Sequence, residues 1–280
     1  MRTQVVIIGG GPSGLLLGQL LHTQGIDAVV LERKTRDYVL SRIRAGILET
    51  GTISLMHQAG VGARLEAEGF VHEGTIISYG DEEFTINFKE HTDTSVVVYG
   101  QTEVTRDLYD AREAAGLQTL FNVEQVEIHG ADTDKAYVTY NVCGETHRID
   151  CDFIAGCDGF HGVSRQTIPL SVRREYDKVY PFGWLGILSE TPPVNDELIY
   201  AASERGFALC SMRNAKLSRY YIQCSLSDKP EDWTDEAFWQ ELKRRIPAQH
   251  AEKLVTGPSI EKSIAPLRSF SLVCTFPTGT

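Results

Sequence analysis

The sequence predicts an α/β protein built from two unlike parts, and three observations carry that expectation. Residues 5–21, VVIIGGGPSGLLLGQLL, run an apolar strand through a glycine turn into an apolar helix. Short apolar strands then alternate with amphipathic helical stretches as far as about residue 175. From about Tyr176 the texture turns β-rich, with Pro192-Pro193 and little helix. Alternation of strand and helix is what parallel βαβ units require, whereas strands following strands build a sheet of their own. The expected architecture is a Rossmann-like first domain over residues 1–175 and a β-sheet-rich second domain over residues 176–280. A hairpin near residues 73–99 is expected to join the second domain.

Each element has a local reason. Gly9, Gly11 and Gly14 fit G-x-G-x-x-G between a strand over residues 4–8 and a helix over residues 13–24, which Gly25 stops. In that setting the glycines allow a tight turn, close approach of a pyrophosphate and close packing of helix on strand. The helix start adds free N–H groups and a partial positive charge. The second strand, DAVVLER, ends at Glu32, at the spacing of an acid that accepts hydrogen bonds from ribose hydroxyls. The pattern reads as a dinucleotide site and leaves open which dinucleotide.

Residues 41–69 read as mostly helical, interrupted at glycines. TIISYGDEEFTINF reads as two strands about a turn at residues 80–83, and SVVVYG as a third. QTEVTRDLYDAREAAG puts Val104, Leu108 and Ala111 on one side of a helix. QTLFNVEQVEIHG, AYVTYNV and THRIDCDFIAG read as a run of strands with a hairpin at Cys143-Gly144. Within the β-rich part, TDEAFWQELKRRI reads as a helix opened by a Thr234 cap.

Bulk properties narrow the function. A net charge of −11 argues against nucleic acid as the main partner, because phosphate binding needs a positive field. No apolar run approaches the ~20 residues of a membrane span. The chain starts directly on a strand, and its six cysteines show no C-x-x-C and no zinc spacing. They read as reduced thiols in a cytoplasmic protein. The eight histidines are scattered, so no metal is expected.

CDFIAGCDGFHGVSRQTIP, residues 151–169, is a second motif, delivering Asp158-Gly159 from a strand into a turn. The glycine turn with Glu32, and Asp158-Gly159 about 130 residues on, resemble the single-component flavoprotein aromatic hydroxylases. RIRAGILE, VYGQTEVTRDL, GCDGFHG, YPFGWLG, ELIYA, RGFALCS and EKSIAPLRSF sharpen the likeness to those acting on 4-hydroxybenzoate, from residue 1 to about 273. The resemblance implies that the dinucleotide is FAD, held permanently, while NADPH visits and O2 is the oxidant. It implies hydroxylation to 3,4-dihydroxybenzoate in aromatic catabolism.

The family's functional positions fall one at a time on this chain. The resemblance assigns FAD to Gly9, Gly11, Ser13, Gly14 and Glu32, to Arg42, Ile43, Arg44, Ala45, Gly46 and Ile47, and to Gln101 and Asp158. Arg219 it associates with the flavin and its movement. Ser211 and Arg213, with Met212 between them, match the segment that binds the substrate carboxylate, and Tyr221 is a further donor. Tyr200 matches the residue that hydrogen-bonds the substrate phenol, and His72 the outer end of a proton relay. Arg33, Tyr38, His161, Arg165 and Arg268 match positions for NADPH.

These residue types suit that chemistry. An arginine grips a carboxylate with two parallel hydrogen bonds, which lysine cannot do. A phenol titrates near 10, so a hydrogen bond must favour its anion, the form that makes the neighbouring ring carbon nucleophilic. Tyr200 can donate that bond and pass a proton outward towards His72. Arg33, Lys34, Arg42 and Arg44 offer cationic donors to a 2′-phosphate.

Family members continue beyond LRSF into an L-x-G-D-A-A-H segment, which SLVCTFPTGT does not match. A shortened chain is therefore expected to bind FAD weakly, and part of the surface the homodimeric family uses to pair is missing. Two other readings stand beside the hydroxylase. An NAD-dependent dehydrogenase would use the same βαβ unit without flavin absorbance, and a fragment would bind without turning over.

Overall fold

A computed structural model describes residues 1–42 and 45–274. The first strand, Val5–Ile8, lies inside a four-stranded parallel sheet between Phe153–Gly156 and Ala28–Leu31, with Thr119–Leu120 beyond the latter. It is buried on both faces, which is why its four residues are all apolar. On one face the helix Pro12–Thr23 packs against Gln101–Ala114 and Thr50–Gln58, joining Ile7, Leu15, Met56, Val104 and Leu108 in one core. On the other face Val6, Ile8, Val29 and Leu31 meet Val138, Tyr140 and Ile149. The latter three come from a small antiparallel sheet of Glu124–His129, Tyr137–Val142 and Glu145–Asp150.

The hairpin at Cys143-Gly144 forms as expected, with φ of 52° and 83° at the two turn residues and Val142 opposite Glu145. Two positive φ values match the right-handed twist of the flanking strands. Two local expectations are corrected. THRIDCDFIAG does not continue as one strand run: it breaks after Asp150, and Phe153–Gly156 crosses into the parallel sheet. Among the described residues of 41–69, only Thr50–Gln58 and Ala63–Glu68 are helical. Ile47–Glu49 is instead a strand, pairing with Val96–Val98, which also pairs with Phe70–His72. Tertiary pairing there outweighs a short helical pattern.

The second sheet has seven strands in the order Ser259–Cys274, Arg173–Ser189, Leu217–Cys224, Gly206–Asn214, Leu198–Ser203, Gly74–Tyr79 and Glu82–Asn87. The last two form the hairpin around Gly80-Asp81, with Tyr79 opposite Glu82. One face of this sheet buries Ile187, Ile199, Ala208, Tyr220 and Ile222 against Phe238, Trp239 and Leu242. These three lie on the helix Asp235–Lys243, whose Thr234 cap accepts the Ala237 N–H at 3.1 Å. Thr234→Ala should cost about 1 kcal/mol, read as a lowered thermal midpoint with activity unchanged.

Candidate active site

The glycine turn is built for close approach. Gly9 has φ +111°, and a Cβ on it would lie 2.3 Å from the Cys157 carbonyl oxygen. A Cβ on Gly14 would lie 2.0 Å from the Gly9 carbonyl oxygen, so helix and strand touch through bare backbone. At Gly11 nothing stands within 4 Å of that position, which leaves the mouth of the turn open. Gly11 caps Pro12–Thr23 without any side-chain hydrogen bond, so the first-turn N–H groups remain free for an anion. Glu32 accepts the Gly10 N–H and the Lys34 N–H, both at 2.8 Å. One lone pair on each oxygen remains for a ribose.

Tyr109, which the sequence reading passed over, donates to the Gly10 carbonyl at 2.6 Å. Burial, reinforced by the charge of Glu32, pushes its ionisation above the usual phenol range, so it stays a donor. Ser13 stands at the helix start facing the Cys157 thiol. Asp158 accepts the Ser164 N–H at 2.9 Å, and the bare α-carbon of Gly162 makes room for its carboxylate. A groove of about 1130 Å³ runs past Asp158, Phe160 and Arg165 over Ile128, Ile154 and Leu272. It contains no residue of the carboxylate-binding face described next.

That face is the side of the seven-stranded sheet turned away from the helix Asp235–Lys243. Cross-strand register puts Tyr200, Leu209, Tyr221 and Gly186 in one row, and Ser211 with Arg219 in the next. Paired residues point to the same side of a sheet, so these side chains share one face. Aromatic neighbours line it: Phe207 lies 6.2 Å from Tyr200 and 5.1 Å from Trp184, which lies 5.6 Å from Tyr221, centroid to centroid. Gly186 leaves room for the Tyr221 ring, since a Cβ there would come within 2.6 Å of it. Met212 belongs to the opposite side by alternation with Ser211, so it can offer this face only backbone.

Arg213 sits at an irregularity between Met212 and Asn214, where the ladder with Leu217–Cys224 slips. Its guanidinium reaches the loop before Ile47–Glu49: a Cβ on Gly46 would lie 3.0 Å from Arg213 Nη1 and 2.8 Å from Gly100 Cα. The Gly46 and Ala45 carbonyls accept the Tyr99 and Gln101 N–H groups at 2.7 and 3.1 Å. The segment assigned to the flavin, Ala45, Gly46, Ile47 and Gln101, thus meets the residue assigned to the substrate. Ile43 and Arg44 lie outside the described residues.

Electrostatics single out Arg213. Burial lowers its affinity for a proton and the Arg219 charge adds to that, while Tyr221 and the Glu261 charge oppose it, and its Nε has no partner. Among the described residues no carboxylate lies within ion-pair distance of it. Arg219 differs, since Glu261 holds its Nη1 at 2.8 Å and its guanidinium lies 5.0 Å over the Tyr221 ring. His72 does not touch Tyr200; it is buried at the end of Phe70–His72, beside Glu197.

The residues assigned to NADPH form two groups. Tyr38 is flanked by Lys34 Nζ at 5.3 Å and Arg42 at 5.7 Å from its ring centre, with Arg33 exposed nearby in sequence. His161, Arg165 and Arg268 gather about Phe160, both guanidinium groups lying 4.7 Å from its ring centre. Glu175 and Asp177 pair with Arg165 and Arg268 respectively.

Residues 2–274 match the family described as FAD binding domain. The p-hydroxybenzoate hydroxylase of Acinetobacter baylyi is 54% identical over 271 residues, which are 96% of this chain and 67% of that protein. The chain therefore spans about two thirds of that relative's length. A probable NADH-specific resorcinol 4-hydroxylase of Rhodococcus jostii is 28% identical over 58% of this chain and 32% of its own length. Pseudomonas aeruginosa PqsL superposes with a TM-score of 0.77 at 19% identity, covering 95% of this chain and 74% of PqsL. Pseudomonas putida p-nitrophenol 4-monooxygenase does so at 0.73 and 15% identity, covering 97% and 68%. At such identities the likeness to solved structures is one of fold. With a glycine turn open to a pyrophosphate and a match spanning nearly the whole sequence, the chain belongs to the FAD binding domain family, among its flavin-dependent aromatic monooxygenases.

Proposed function

We propose that this chain hydroxylates 4-hydroxybenzoate to 3,4-dihydroxybenzoate with NADPH and O2, in cytoplasmic catabolism of aromatic acids. The observation that carries the reading is Arg213: a half-buried guanidinium whose Nε is buried without a partner, with no carboxylate in ion-pair distance among the described residues, on an aromatic face beside the Gly46 loop. A buried cation calls for a counter-charge, and a benzoate carboxylate matches its planar fork. Ser211 and Tyr221 flank it as neutral donors.

The residues that would hold FAD are Gly9, Gly11, Ser13 and Gly14 at the pyrophosphate, Glu32 at a ribose, and Arg42 through Ile47 with Gln101 along the ring. Bound FAD supplies the electron transfer and oxygen activation. The chain's own task is to fix the ring by its carboxylate, exclude water through Trp184, Phe207 and Leu209, and draw the phenolic proton away. Tyr200 is 36% exposed, so its hydroxyl is free to meet a substrate oxygen. A donor to the phenolate favours ionisation, and a hydrogen bond to a charged group contributes about 1.5–3 kcal/mol. Tyr200→Phe should slow hydroxylation roughly tenfold or more while benzoate still binds, as single-turnover kinetics would read. Residues 1–175 and 176–280 would then serve cofactor and substrate respectively, and Lys34, Tyr38 and Arg42 would favour a 2′-phosphate. The deciding assay is NADPH oxidation with added FAD, with and without 4-hydroxybenzoate. Stimulation together with 3,4-dihydroxybenzoate supports the reading, and oxidation indifferent to the benzoate overturns it.

A further inference from the structure

We propose that Glu197 is the positioning residue and proton acceptor behind His72, so that the relay reaches water through the glutamate rather than through the imidazole. The proposal rests on the reading given under Proposed function. His72 has 2% of its side chain exposed, too little to exchange a proton with bulk water directly. Its Nδ1 lies 3.5 Å from Glu197 Oε2, whose side chain is 28% exposed. Neither ring nitrogen has a hydrogen-bond partner among the described residues, and neither has Glu197 Oε2. Two buried polar atoms facing each other, and a third across the ring, all without partners, are costly unless a proton or a water passes among them.

The carboxylate is held for the task. Its other oxygen, Oε1, accepts the Glu73 N–H at 3.0 Å, from the residue directly after His72. The Glu197 carbonyl accepts Asn195 Nδ2 at 2.9 Å. Glu197 immediately precedes the strand Leu198–Ser203, which carries Tyr200 and pairs in parallel with Gly74–Tyr79. Tyr200 and Glu197 thus lie on or beside one strand, and His72 ends the strand Phe70–His72 just before its neighbour Gly74–Tyr79 begins.

The transfer balances as proton movement alone. The phenolic O–H of the substrate breaks and its proton passes by way of Tyr200 and then, since Tyr200 and His72 do not touch, by water to one nitrogen of His72. The proton on the other nitrogen leaves to Glu197 Oε2, and the partly exposed carboxyl turns outward and releases it to water. The product is a bound phenolate and one proton in bulk solvent, with nothing oxidised.

The test is proton release on mixing 4-hydroxybenzoate with the oxidised, FAD-loaded chain, followed with a pH indicator dye and the phenolate absorbance, without NADPH. Glu197→Gln should slow release about tenfold or more, leave substrate affinity within about twofold, and be rescued by added acetate. Glu197→Asp should retain most of the rate, which a merely structural role would not distinguish from Glu197→Gln. Release at the parent rate in Glu197→Gln, or slowing that acetate does not relieve, overturns the proposal while leaving the function intact. A parent chain that binds 4-hydroxybenzoate with no proton released overturns it too, whereas no benzoate binding at all overturns the function with it.

Discussion

Arg213→Ala is expected to weaken 4-hydroxybenzoate binding by about 2–5 kcal/mol, a rise in Kd of roughly 30-fold to several thousand-fold. The size follows from where the guanidinium sits. It is half-buried with an unpartnered Nε, and the neighbouring Arg219 is already paired with Glu261, so removing Arg213 leaves the substrate's carboxylate in an aromatic pocket without its main counter-charge. Arg213→Lys should recover only part of the loss, because an ammonium meets one oxygen where the fork meets two. Phenol, which has no carboxylate, should bind the parent and both variants alike. Titration by flavin absorbance decides it, and an Arg213→Ala Kd within threefold of the parent would falsify the assignment.

The second large effect concerns the turn. Gly14→Ala drives a methyl to 2.0 Å from the Gly9 carbonyl oxygen, which is backbone and cannot swing aside. About 3–5 kcal/mol of stability should be lost, lowering the thermal midpoint by about 5–15 °C and leaving the purified chain without flavin. Gly11→Ala is the informative contrast. Its methyl meets no protein atom within 4 Å, so the FAD-free chain should melt within about 2 °C of the parent. Flavin retention should nonetheless fall, because the open mouth is where a pyrophosphate would lie. If Gly11→Ala bound FAD as the parent does, the phosphate would have to sit elsewhere.

The glycine turn was legible in the sequence because its physics is local. Strand, tight turn and helix start lie within twenty residues, and Gly14 answers a contact with Gly9 inside the same turn. The same holds for Thr234 and for Cys143-Gly144, where one side chain or one pair of positive φ values sets the element. Arg213 and Tyr200 were reached through motif likeness; alternation tells which residues share a face but not what that face meets. That limit also explains Met212, which stands next to the right residues and turns the wrong way. Glu197 went unnoticed because its pairing with His72 depends on two strands 123 residues apart finding each other. Ile47–Glu49 was missed for a similar reason, since its partner Val96–Val98 lies far along the chain.

The hairpin that pairs Gly74–Tyr79 with Leu198–Ser203 has a mechanical consequence. The two halves are interlaced: the amino-terminal half contributes two strands to the sheet of the other. Closing that ladder waits on a distant encounter, which slows assembly and makes both halves melt as one cooperative unit. A protease nick near residue 175 should therefore leave two peptides that elute together under native conditions and part only in denaturant.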